Sequence, residues 1–159
     1  RHTRCSRDWS SDVCSSDLNK TTSSADLKTA LQALSSAGAQ AFNAKYPAGG
    51  PTTTCGDGPE TATISGNKIR FYSISGTQVK TSSLDISDAL LSYTSDYFAG
   101  EANDGLVSRC SSHWGKVLKD NYAWNHLDEI NQVLGVIGSS PDPVAWYKSQ
   151  ATRLKLLGL

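Results

Sequence analysis

Three residues that can offer oxygen ligands recur at intervals of four: Asp128, Gln132 and Val136, in "LDEINQVLGV". On a helix this spacing places the Asp128 carboxylate and the Gln132 amide on one face. Val136 falls where Gly135 and Gly138 should end the helix, which would leave its main-chain carbonyl without a helical partner. Carboxylate, amide and carbonyl oxygens are the ligands that calcium takes. The spacing indicates a calcium site that needs another carboxylate from elsewhere, or else a solvated polar stripe on an amphipathic helix.

A histidine and an aspartate nearby suggest acid–base chemistry. His126 titrates near neutral pH and could be a general base, although a helix cap or a surface histidine would look the same. Asp104, in "ANDGLV", suits an ordinary turn, but it could also be the buried carboxylate that orients the histidine of a catalytic triad. His126 with Asp128 could instead bind a transition metal. The chain has no Gly-x-Ser-x-Gly sequence, so a triad would lack its nucleophile here.

The elements that must position these residues follow from periodicity and turn signals. Four helices are predicted: one over residues 24–46, one after Asp85, one over 125–138, and one beginning at Pro143. A hairpin is predicted over "TATISGNKIRFYSISG", where Gly66 can take a positive φ, and a strand over "KVLKDNYAW". The pattern predicts mainly helix with a minority of strand.

The first 18 residues look foreign to the rest of the chain. Residues 8–18, "DWSSDVCSSDL", resemble a translated sequencing-library adapter. We therefore expect residues 1–18 to be a non-native, disordered leader, and residues 19–159 to be a chain cut at its N-terminus. The 159 residues include 15 basic and 15 acidic side chains and no basic run, so we expect no nucleic-acid partner. No apolar run approaches the roughly 20 residues that span a bilayer.

Outside that leader, two cysteines remain, Cys55 and Cys110. They are far apart and form no Cys-x-x-Cys pair, which argues against a structural zinc site. They could be two buried thiols or one disulfide of an exported protein.

The stretch "ANDGLVSRCSSHWGKVLKDNYAWNHLDEINQVLG" resembles the secreted bacterial lipases of the Pseudomonas and Burkholderia type. The likeness extends through "FNAKYP", "CGDG", "FYSISG", "LDISDALL" and "RLKLLGL", and so covers roughly residues 27–159. The resemblance implies an α/β-hydrolase fold, of which this chain would be the C-terminal half. It also implies hydrolysis of triacylglycerol esters at a lipid–water interface by a Ser-Asp-His triad.

The resemblance assigns roles residue by residue. It implies that Asp104 and His126 are the acid and base of the triad, and that Cys55 and Cys110 form a disulfide. It implies a structural calcium ion whose ligands would be Asp128, Gln132, the carbonyl of Val136, and Asp85, with Asp88 as a substitute for Asp85. The apolar neighbours of the histidine would line an acyl pocket or belong to an ordinary core; they are Leu127, Ile130 and Val133.

The resemblance also implies a setting for the whole protein. The parent enzyme would be secreted through the periplasm and folded with the help of a dedicated foldase. Because the serine elbow is not in this sequence, we expect the chain by itself to be inactive. Two alternatives remain from the sequence: a non-catalytic calcium-binding module with a related half-fold, and a metal-dependent hydrolase that uses His126 and Asp128.

Overall fold

The computed structural model describes residues 24–132, 135–138 and 141–159. The predicted leader, residues 1–18, lies outside them. The helices and strands, in chain order, are α1 (Ser24–Ala33), α2 (Ser36–Lys45), β1 (Thr61–Ile64), β2 (Asn67–Arg70), β3 (Tyr72–Gly76), α3 (Asp88–Ser95), β4 (Lys116–Tyr122) and α4 (Pro143–Leu156). No helix among the described residues is long and apolar enough to cross a membrane.

The single helix predicted over residues 24–46 is wrong, because the structure divides it into α1 and α2. Ser35 caps α2, and its hydroxyl accepts a hydrogen bond from the Gly38 amide. A side chain at Gly38 would meet the carbonyl oxygens of Gln32 and Ala33 at 2.4 and 2.5 Å, so α2 starts against the end of α1. A serine cap and a glycine together turn the chain where periodicity alone continues it.

The predicted hairpin is confirmed, but it is shorter than its sequence suggests. β1 and β2 pair antiparallel around Ser65 and Gly66, which both have positive φ, as a two-residue hairpin turn requires. The last part of the apolar run leaves the hairpin as β3 and pairs parallel with β4, whose strand was predicted. The run therefore serves two different sheets.

The helices predicted on either side of the site region are confirmed, whereas the helix predicted within it is not. α3 lies after Asp85, as predicted, and α4 begins at Pro143 with Asp142 as its cap. The helix predicted over residues 125–138 is wrong. The structure has one 3-10 turn over Asp128–Ile130, and Asn131 then takes the left-handed conformation at φ 56°.

The disulfide that the resemblance implied is present. Cys55 and Cys110 are joined across 55 residues of sequence, with their Cα atoms 4.4 Å apart. This bond links the loop that precedes β1 to the segment between α3 and β4. Five large hydrophobic side chains are buried among the described residues: Leu31, Leu91, Phe98, Tyr122 and Trp124.

Candidate active site

His126 follows the carboxyl end of β4, at the edge where parallel strands commonly place functional side chains. β3 accompanies β4 to this edge: Gly76 pairs with Tyr122, and the Gln78 amide donates to the Trp124 carbonyl. A side chain at Gly76 would lie 2.1 Å from that carbonyl oxygen, so the two strands can meet here only because residue 76 is glycine. The chain then turns sharply into His126.

Asp104 reaches the same edge on a tight loop between α3 and β4. An isolated bridge joins Asn103 to Ser108, and the Asn103 side chain accepts from the Gly105 amide. Asp104 is 2% exposed, and its Oδ1 accepts from the amides of Leu106 and Val107 at 2.9 and 2.7 Å. The predicted turn chemistry and the buried carboxylate are thus both present in one residue.

The structure brings Asp104 and His126 together. His126 Nδ1 lies 2.8 Å from Asp104 Oδ2, and the His126 amide donates to the Asp104 carbonyl at 2.9 Å. Because Asp104 Oδ1 is occupied by main-chain amides, Oδ2 is held towards the imidazole. The hydrogen bond to Asp104 raises the pKa of His126 above its ordinary value, the negative charge of Asp104 adds to this effect, and partial burial opposes it.

A third ionisable group, Glu129, completes this cluster. Ligand atoms of Asp104, His126 and Glu129 lie within 4.8 Å of one another. Burial raises the pKa of Glu129 to about 7; a hydrogen bond from the Gly76 amide opposes the rise, and the charge of Asp104 adds to it. The group could hold a metal ion by composition. However, His126 Nδ1 and Asp104 Oδ2 already bond to each other at 2.8 Å, so a metal ion bound through these two atoms would have to displace that hydrogen bond.

Beside this cluster, three acidic side chains bond to one residue, Asn125. The Asn125 Nδ2 group donates to Asp85 Oδ2 at 2.8 Å and to Asp88 Oδ1 at 3.0 Å. Asp128 is completely buried, and its Oδ2 accepts from the Asn125 main-chain amide at 3.1 Å. Asp85, Asp88 and Asp128 therefore all bond to Asn125.

The donor set fits a bound cation in part. Asp128 Oδ1 is buried and has no hydrogen-bond partner among the described residues. Burial raises the pKa of Asp128, the hydrogen bond from the Asn125 main-chain amide opposes the rise, and the charges of Asp85 and Asp88 add to it. A buried carboxylate oxygen without a donor, beside two further carboxylates, is the environment that a divalent cation would neutralise.

The two remaining predicted ligands are arranged differently from the prediction. Because the segment is a 3-10 turn, Gln132 does not continue a helical face with Asp128. Its side chain is exposed, and its main-chain amide donates to the Leu127 carbonyl at 2.9 Å. Val136 is half-buried outside any helix. The helical argument for these ligands is wrong, and their assignment now depends on the resemblance alone.

The predicted acyl-pocket residues lie at the surface or outside the described residues. Leu127 is half-buried, Ile130 is 60% exposed, and Val133 lies outside the described residues. A cavity of about 690 Å³ lies between α2 and the loop that carries Cys55, and its lining does not include Asp104 or His126. The acyl pocket stays a prediction.

Sequence reasoning missed Asn125 and Glu129, which both contact the candidate site. Each was adjacent to a residue that the sequence singled out, since "NHLDE" contains both. Glu129 is three residues after His126, a spacing that places two side chains close together in a helical or 3-10 turn. Asn125 carried the clearer signal, because asparagine before a turn commonly bonds the following main-chain amides.

Comparison with characterised sequences gives the site its context. No protein-family model matches the chain. It is similar to proteins named triacylglycerol lipase: 44% identical over 84% of its length to one from Vibrio cholerae, 36% over 84% to one from Burkholderia plantarii, and 39% over 80% to one from Pseudomonas fragi. It covers 42%, 45% and 45% of those proteins respectively. Over most of its own length the chain is therefore homologous to proteins named triacylglycerol lipase, and it spans about half the length of the curated relatives it matches.

Proposed function

We propose that this chain is the C-terminal part of an α/β-hydrolase that cleaves triacylglycerol or related esters, and that it supplies the acid and base of a Ser-Asp-His triad. The single observation that carries the proposal is the 2.8 Å contact between His126 Nδ1 and Asp104 Oδ2. The carboxylate is 3% exposed, whereas 35% of the imidazole side chain remains accessible. A buried acid behind an accessible base is the arrangement that orients a histidine towards a nucleophile.

The roles of the two residues follow from their contacts. Asp104 accepts a hydrogen bond from the Nδ1–H group, and holding the proton on Nδ1 leaves Nε2 free to accept a proton from a serine hydroxyl as the serine attacks the ester carbonyl. The resulting imidazolium lies against the Asp104 carboxylate, which stabilises its charge. His126 then donates that proton to the departing alcohol oxygen, and in the second half-reaction it activates a water molecule that releases the fatty acid.

Within this proposal, calcium is held by Asp85 and Asp128, with the Gln132 side chain and the Val136 carbonyl as further ligands. When bound, the ion supplies positive charge to buried carboxylates. The orphaned Asp128 Oδ1 supports this assignment. Asp128 is two residues from His126, whereas Asp85 precedes α3, so the ligands join the histidine turn to a distant segment. The role of the site is positional.

The same proposal covers the setting of the whole protein. We assign residues 19–159 to the hydrolase domain and residues 1–18 to a non-native leader. The full-length protein would be secreted, would act at a lipid–water interface and would fold with a dedicated foldase. These assignments are supported by the lipase family and by the disulfide between Cys55 and Cys110, because structural disulfides are typical of exported proteins.

A serine-directed probe tests the proposed function. A fluorophosphonate should label the full-length protein at one serine outside residues 19–159, and His126→Ala should abolish labelling. His113→Gln is a suitable control, because His113 also bonds to an aspartate, but to Asp120 and to the Gly56 carbonyl, away from Asp104. Absence of labelling in the wild-type full-length protein would favour a non-catalytic calcium-binding module, and stoichiometric zinc would favour a metal-dependent hydrolase.

A further inference from the structure

Asn125 is completely buried and immediately precedes His126. The donor end of its side chain points to the segment before and at the start of α3. Nδ2 donates to Asp85 Oδ2 at 2.8 Å, to Asp88 Oδ1 at 3.0 Å and to Thr81 Oγ1 at 3.4 Å. One amide therefore holds two carboxylates from a part of the chain about 40 residues away.

The acceptor end of the same side chain shapes the histidine turn. Asn125 Oδ1 accepts from the main-chain amides of Leu127 at 2.9 Å and Asp128 at 2.8 Å. The Asn125 main-chain amide in turn donates to Asp128 Oδ2. These bonds occupy amides that would otherwise lack partners at the start of the 3-10 turn. His126 lies inside this bonded loop, so its main chain is fixed on both sides.

The contacts also address an electrostatic problem. Three carboxyl groups lie around the buried residue Asn125, those of Asp85 and Asp88 at its side-chain amide and that of Asp128 at its main-chain amide, and carboxylates confined together repel one another. In the described contacts, Nδ2 is the group that lies within 3.0 Å of both Asp85 and Asp88. The partial positive charge of this Nδ2 group therefore reduces the repulsion between the Asp85 and Asp88 carboxylates. Aspartate at position 125 would keep an acceptor oxygen and remove this donor.

We propose that Asn125 is a positioning residue that joins the His126 turn to the Asp85–Asp88 segment, and that its amide keeps this junction assembled when no divalent cation is bound. The inference rests on the proposed function for its catalytic meaning, but the junction itself can be measured without catalysis. Two contributions would then fix the position of His126. A bound cation would hold Asp85 and Asp128, whereas the Asn125 side-chain amide holds Asp85, Asp88 and the turn.

The test compares Asn125→Asp with Asn121→Asp in the full-length protein. Asn121 is exposed on β4, so its substitution adds the same charge outside the cluster. Two readouts are used, each in chelator and in millimolar calcium: the melting temperature, and the downfield NMR signal of the His126 Nδ1 proton. In chelator, Asn125→Asp should melt roughly 10 °C below wild type and lose the signal, and calcium should restore both. Wild type and Asn121→Asp should keep the signal in both conditions.

A charge swap keeps the test decisive if Asn125→Asp folds poorly. Asp88→Asn combined with Asn125→Asp returns one amide to the cluster and should recover most of the melting temperature in chelator. The proposal is overturned if Asn125→Asp responds to chelator no more than Asn121→Asp does, or if the swap and calcium both fail to recover it. Intact junction readouts in a protein that lacks esterase activity would instead count against the proposed function alone.

Discussion

The edge of the β3–β4 pair and the helices α1, α2 and α4 differ in the kind of side chain that they bury and expose. At the edge, several polar side chains are buried and hydrogen-bonded to one another, to main-chain groups or to His126; they are Asp85, Ser87, Asn103, Asp104, Asn125 and Asp128. On the helices, large apolar side chains remain accessible: Phe42 on α2 is 55% exposed and Leu156 on α4 is 83% exposed. α2 has no buried residue, and α4 buries only Pro143.

This difference shows what the chain determines by itself. Directional hydrogen bonds fix the relative positions of Asp104, Asn125 and His126 using residues that are all within the chain. The helices present apolar surface that a protein core would normally cover. Since the chain spans about half the length of its relatives, we expect the remaining half to pack on the helices and to leave the polar edge largely unchanged.

The largest expected effect comes from removing the proposed base. In the full-length protein, His126→Ala should lower kcat for ester hydrolysis by on the order of 10⁵-fold, because the serine would lose its proton acceptor. Stability should fall as well, because the Asp104 carboxylate, whose side chain is 3% exposed, would lose the imidazole that bonds to its Oδ2. Steady-state kinetics with a soluble ester would measure the loss of kcat. His113→Gln, outside the Asp104–His126 contact, should retain activity, and an active His126→Ala enzyme would contradict the triad assignment.

The disulfide lies outside the polar edge, between the loop that precedes β1 and the segment between α3 and β4, and should affect stability rather than chemistry. Replacing Cys55 and Cys110 with serine releases a constraint across 55 residues, which should cost about 4 kcal/mol of unfolding free energy. Urea unfolding monitored by Trp fluorescence would measure it. The kcat of the folded fraction should stay within a few-fold of wild type. A loss of activity without a loss of stability would mean that the two regions are not independent.

Glu129 should give the polar edge a pH-dependent stability. Its pKa is raised by burial from 4.5 to about 7, so the folded state binds a proton more tightly than the unfolded state. The stabilisation is complete below pH 4.5 and is lost as the pH rises through about 7. Glu129→Gln should remove this loss, which is on the order of 3 kcal/mol. Unfolding free energies at pH 4.5 and 8 would show a flatter profile than wild type, and an unchanged slope would contradict the assignment.

The smallest effect is expected at the exposed apolar surface of this chain. Leu156→Ala should change the stability of the chain by less than about 0.5 kcal/mol, whereas Leu91→Ala, at a site 1% exposed, should cost about 2–5 kcal/mol. Thermal unfolding of both variants would make the comparison. In the full-length protein, a larger cost for Leu156→Ala would support coverage of α4 by the remaining half, and an equal cost would argue against it.

Local signals predicted the simple elements well. The hairpin turn at Ser65 and Gly66, the strand β4 and the start of α4 at Pro143 each depend on residues next to one another in sequence. The division between α1 and α2 was missed because a continuous apolar period outweighed a single serine cap. The parallel pairing of β3 with β4 was also missed, since it joins segments about 45 residues apart.

The candidate site shows the same limit. Asp104 and His126 were nominated from residue type, order and family resemblance, and they lie in contact. The ligand geometry around Asp128 was predicted from helical spacing, which fails because Asn131 takes the left-handed conformation after one 3-10 turn and the Gln132 main-chain amide bonds back to the Leu127 carbonyl. The cluster of Asp85, Asp88 and Asn125 depends on tertiary contacts that no local pattern reports.

The pH dependence of kcat/KM in the full-length protein tests the central claim most directly. A general base must be neutral, and Asp104 raises the pKa of His126, so activity should fall on the acid side at a pH above 6.5. Asp104→Asn removes the carboxylate, so the acid limb should move to lower pH while the maximal rate drops by about 10⁴-fold. An acid limb at the same pH in wild type and Asp104→Asn would contradict the claim that these two residues act together.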